Sequence, residues 1–229
     1  MNRSLIFLAM GAITAMWMLR VGITGSFRFD FIVWNIVLAF VPLLVEPLFG
    51  IIVRKTKGAL AKMGKLVVSA VWLLFLPNAF YILTDLMHLN SRVSVNARDD
   101  SRTYTLLYDR GDGLYVFDSL LLVAATVFGA YVGGLALLHA WKYFRKRMPQ
   151  LSAGAILALI MTLSAVGVYI GRFGRWNSWD GLIHPHYVIS DLFTSLITPA
   201  TQGRFLLILL TMLIFQLSSV LIVQRIHKR

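Results

Sequence analysis

The sequence contains no cysteine. Disulfide bonds, thiolate-held iron–sulfur clusters and thiol nucleophiles are therefore excluded, although the compartment is not identified by this absence. Charge is also scarce. Charged residues make up 14% of the 229 positions, only ten of them are acids, and hydrophobic residues reach 58%. A soluble domain carries about a quarter charged residues, so this composition belongs in a lipid bilayer. No nucleophile elbow, zincin signature or phosphate loop is present, which leaves no ready-made catalytic motif. The apolar run from Leu5 to Leu19 follows Arg3 as a secretory leader would. No convincing small-x-small cleavage site comes after it, so it reads as a retained span.

What the chain does contain is a series of apolar runs of membrane length. A hydrocarbon core of about 30 Å needs about 20 helical residues. Runs of that order lie at about 4–23, 31–53, 66–83, 114–141, 151–170 and 205–223. Backbone polar groups in lipid must be satisfied within each segment, so the fold class is all-α: a polytopic membrane protein with six transmembrane helices in a single domain, 1–229. A shorter amphipathic stretch, about 186–198, places Ile189, Leu192, Phe193, Leu196 and Ile197 at helical spacing between Pro185 and Pro199. It is too short to span and reads as an interfacial helix before the last span, roofing the bundle.

The formal net charge of +12 could suggest nucleic-acid binding, but its distribution argues for no nucleic acid. Arg54, Lys55, Lys57, Lys62 and Lys65 share one side of the membrane with Lys142, Arg145, Lys146 and Arg147 and with both termini, and no acid accompanies them. Eight of the ten acids fall on the other side. By the positive-inside rule this predicts a multi-pass protein of the cell membrane, plasma or inner, with both termini cytoplasmic. The basic loops then face an anionic leaflet of the lipid bilayer.

Ala125, Gly129 and Gly133 recur every four residues in the fourth run, as do Gly167 and Gly171 in the fifth. Small residues at this spacing predict close helix contacts. Pro42 and Pro47 flank Glu46 in the second run and predict a bend or break there. Glu46 should turn toward the bundle interior, a wet crevice or a basic partner, since an acid facing lipid is costly. The outer loop, 90–113, has weak strand alternation at Val93, Val95 and Tyr104, which reads as a small hairpin or as disordered chain, and it carries the adhesion-like triplet Arg110-Gly111-Asp112.

Two polar stretches interrupt this apolar text. On a continuing helix Asn78, Tyr81, Asp85 and His88 share one face. At the end of the fifth run Tyr169, Arg172, Trp176 and Trp179 share another, flanked by Arg175, Asn177 and Asp180. Both stretches exit on the same side, and Asp118 stands at that depth as an expected partner for Arg172 or Arg175. Polar groups at this level mark a candidate site. A structural reading stands beside it, in which tryptophan and tyrosine form an interfacial belt and charges end the helices.

Three chemistries suit the site. Guanidinium forks at Arg172 and Arg175 with indole walls fit an anionic lipid or lipid-linked ligand. Asp85 and His88, with His184 and His186, form a set of metal ligands without standard spacing. Asp85 with His88 or Asp180 would serve acid–base catalysis on a lipid-borne substrate. A transporter, favoured by the broken second span and Glu46, and an assembly subunit without a ligand complete the alternatives. No cofactor and no oligomeric state follow from the sequence.

The texts LPNAFYILTDLMHL (Leu76 to Leu89) and YIGRFGRWNSWD (Tyr169 to Asp180) resemble the hallmarks of a bacterial multi-pass membrane protein family catalogued as domain of unknown function 1361. The likeness extends over most of the chain through the order of its spans. It implies an integral membrane protein with these segments as signatures, and it brings no activity and no functional residues.

Overall fold

The computed structural model describes residues 3–55, 57–90, 113–177 and 179–228. The expected hairpin and the Arg110-Gly111-Asp112 triplet lie outside them. Among the described residues there is no strand, and six helices are long and apolar enough to cross a membrane. The elements are α1 (Arg3–Thr24), α2 (Phe31–Lys55), α3 (Gly58–Tyr81) with its 3₁₀ continuation Ile82–Asn90, α4 (Gly113–Arg145) and α5 (Gln150–Tyr169) with a π-helical turn Ile170–Gly174. A four-residue turn α6 (Asp180–Ile183), the short helix α7 (Pro185–Ile197) and the last span α8 (Pro199–Ile226) complete the order. The amphipathic stretch before the last span is thus α7, within a residue of the expected bounds.

Helix α4 is the axis of the bundle. Its sequence is apolar all round, the pattern of a helix with neighbours on every side, and it packs against α1, α2, α3, α5 and α8. Its small residues allow the approach. A Cβ at Gly129 would overlap the Ala79 carbonyl oxygen of α3, and one at Gly134 would lie 2.8 Å from the Ser219 carbonyl oxygen of α8. The Phe80 ring fills the space left by Gly133. On α5, Gly167 admits the Pro77 ring of α3.

Helix α2 stays helical through Pro42 and Pro47, so of the bend or break expected there the break does not occur. Neighbouring helices can re-satisfy the carbonyls a proline frees in a span. Glu46 turns toward α4 and α3: its carboxylate lies 2.7 Å from His139 Nδ1, and the Trp72 indole donates to it at 3.5 Å.

Asp118 corrects an expectation. Its partner is Arg20 of α1, at 2.7 Å and 3.2 Å in a two-pronged pair, and neither Arg172 nor Arg175. Both side chains are buried, at 3% and 0% exposure, so each charge is matched where water does not reach. Arg20 also donates to the Ser26 carbonyl and lies over the ring of Phe29, a buried residue with φ of 67°. Asp118 therefore ties α1 and its following turn to the central helix.

Candidate functional site

The first polar stretch does not continue as an α-helix. After Tyr81 the chain tightens into nine residues of 3₁₀ backbone, and three residues per turn bring Ile82, Asp85 and His88 into one row. Ile82 and Asp85 are buried while His88 stays half-exposed, its ring tilted against that of Phe31 with centroids 4.7 Å apart. Runs of 3₁₀ helix beyond three or four residues are uncommon and often accompany function.

The second stretch departs from α-geometry as well. The helix widens into the π turn at Ile170–Gly174 and ends at Arg175, whose φ of 59° is left-handed. Tyr169 turns away from the other polar groups and packs against Phe205 of α8 at 4.8 Å. The single-face arrangement of Tyr169, Arg172, Trp176 and Trp179 is thereby broken, because the added turn width rotates the residues that follow.

These two irregular ends meet. Arg172 donates to the Thr84 carbonyl at 2.8 Å, to the Tyr81 hydroxyl at 3.3 Å and to Asp85 Oδ1 at 3.4 Å, with its guanidinium over the Tyr81 ring. Asn35 of α2 donates to the other Asp85 oxygen at 2.8 Å. Asp85 is buried at 1% exposure and is held at both oxygens, one from α2 and one from the end of α5. Asn35 was not singled out in the sequence, although it is the one amide or charged group between Phe31 and Glu46.

Below this junction lies a cavity of about 760 Å³. Helices α2 and α5 flank α3 without packing closely on each other, and the space between them is floored by Leu73, Leu74 and Pro77 of α3. Its sides are apolar at Trp34, Leu38 and Leu163, while Asn35, Asn78, Tyr81, Asp85, His88, Arg172, Arg175, Trp176, Asn177 and Trp179 supply polar groups and indoles around it. The segment after Arg175 folds back along α3. Gly181 comes close to the Leu74 side chain, two helical turns or about 10 Å below Tyr81. Irregular backbone at membrane depth is tolerated where it is buried in protein or lines a cavity, and Gly181 lines this one.

Nine of the eleven expected residues line the cavity; Asp118 and Asp180 do not. Asp180 instead accepts from the Asn177 backbone N–H at 2.6 Å and from its side-chain amide at 3.2 Å, which closes the fold-back turn. The Trp176 indole donates to Asp191 of α7 at 2.7 Å, anchoring α7 over the cavity wall that Val188 completes. Asn78 donates to the Phe75 carbonyl at 3.1 Å. His184 and His186 are exposed outside the cavity, and among the described residues no three His, Cys, Asp or Glu side chains gather as a metal site.

Between Asp85 and Glu46 the buried residues of α2 are Ile36, Ala39, Phe40, Pro42 and Leu43, and all but the proline belong to one hydrophobic core with Leu76 of α3. This apolar layer separates the two acids. A polar conduit between them, which a transporter reading required, is not formed by these residues.

A family described as protein of unknown function (DUF1361) matches the chain over residues 34–219. No curated protein and no solved structure gives a match.

Proposed function

The chain belongs to the DUF1361 family, whose match takes in both irregular helix ends and every residue lining the cavity except Phe31, and from this premise we propose that it binds a membrane-borne amphiphile with an anionic head, a lipid or a lipid-linked molecule. The carrying observation is the cavity's two-part lining. An apolar floor of Leu73 and Leu74 between sides of Leu38 and Leu163 suits a hydrocarbon tail, while Arg172, Arg175 and indoles suit a charged head. A small hydrophilic solute would leave the leucine floor unused. A purely apolar ligand would leave guanidinium groups facing hydrocarbon, which is costly.

We assign the basic end to the cytoplasm by the positive-inside rule, so the head lies on the extracytoplasmic side. The acid–base alternative is less favoured because both Asp85 oxygens already accept hydrogen bonds. Asp85 is also buried at 1% exposure, so a substrate would have to displace one of these donors to reach it.

Native mass spectrometry of the purified full-length protein tests the reading. Wild type should retain one anionic amphiphile per chain through detergent exchange, and Leu163→Trp, which narrows the cavity from its α5 side, should lose it. If both proteins carry only bulk lipids in the proportions of the surrounding membrane, the proposal fails.

A further inference from the structure

We infer that Arg175 is the residue that reads the head of this ligand and that the head is a phosphate, an inference that rests on the amphiphile-binding reading above. Arg172 and Arg175 both line the cavity, but only one is committed elsewhere. Arg172 has a carbonyl, a hydroxyl and a carboxylate as acceptors and serves as a strut between α5 and the end of α3. Arg175 is exposed and makes no hydrogen bond or ion pair with any described residue.

The backbone supplies an independent reason. Arg175 ends the π turn with φ of 59°, the left-handed position that closes many helices. Glycine is the usual residue there because a Cβ is disfavoured at positive φ. An arginine at such a position adds nothing that the turn requires. Conformational cost at a cavity wall, borne by a side chain without a protein partner, points to a ligand as the missing acceptor.

The phosphate assignment follows from the single fork on a short turn. A planar carboxylate must lie in the guanidinium plane to accept two hydrogen bonds. A phosphate group presents a pair of oxygens in several rotations about its ester axis, so it engages the fork without a second orienting group. Trp176 and Trp179 beside it complete the wall at head level.

The test uses the full chain in a neutral detergent, with dodecyl phosphate and inorganic phosphate as probes and tryptophan fluorescence as the readout. Three of the six tryptophans, Trp34, Trp176 and Trp179, line the cavity, so a ligand there changes part of the signal. Dodecyl phosphate should bind wild type at least tenfold more tightly than inorganic phosphate does. Arg175→Gly should weaken dodecyl phosphate at least tenfold while its Tm stays at or above that of wild type, and Arg175→Lys should fall between. Equal affinity of wild type and Arg175→Gly for dodecyl phosphate would overturn the role of Arg175 and leave the amphiphile reading standing. Inorganic phosphate binding as tightly as dodecyl phosphate, with both lost in Arg175→Gly, would keep the arginine–phosphate contact and overturn the amphiphile. Binding of neither probe to wild type would overturn both.

Discussion

Asp85 and Arg172 depend on each other at the scale of single residues. The acid is buried, and removal of either donor leaves an oxygen without a partner. Arg172→Ala should lower stability by about 3 kcal/mol, the cost of leaving a buried charge unpaired, and Asn35→Leu by about 1–3 kcal/mol. Thermal unfolding in detergent measures both, and Arg172→Ala should have the lower Tm. Asp85, Arg172 and Tyr81 were legible from residue type alone, because polar groups at the ends of apolar runs are conspicuous. Asn35 was less so, since a lone amide inside a hydrophobic run has no periodic signature. The partner of Asp118 was not legible either: depth along the membrane matched it to Arg172 or Arg175, and only the packing of α1 on α4 selects Arg20.

At the scale of elements, the spacing of small residues predicted where helices touch, and the contacts are specific enough to test. Gly129→Ala places a methyl group against the Ala79 carbonyl of α3 and should cost about 1–3 kcal/mol by overpacking. Gly154→Ala in α5 meets nothing within 4 Å and should instead stabilise by a few tenths to about 1 kcal/mol through helix propensity. Parallel melts of the two variants check the contrast; equal Tm changes would count against the α3–α4 contact. Helix ends were read less well. The 3₁₀ stretch after Tyr81 and the π turn after Tyr169 have no marker in apolar periodicity, because runs of 9 and 5 residues are too short to reveal their period. Their effect appears only where Arg172 must reach a carbonyl on another helix, a geometric demand that local sequence does not express.

Across the whole molecule, orientation is the property that charge sorting predicts and that labelling can test without a background signal, because the chain has no cysteine. A membrane-impermeant maleimide applied to intact cells should label Gly203→Cys and leave Lys62→Cys unlabelled, both positions being exposed. The reverse pattern would place the cavity on the cytoplasmic side. The number of spans, their all-helical character, the short helix before the last span and the two polar signatures were determined by the sequence itself, since hydrocarbon leaves the backbone few options and makes polar residues conspicuous. Tertiary structure alone decided which charges pair, that α2 runs on through its prolines and that α2 and α5 stand apart over α3 to leave a cavity. The physical reason is that transfer into lipid acts on each segment separately, whereas ion pairing and cavity shape depend on contacts between segments far apart in the chain.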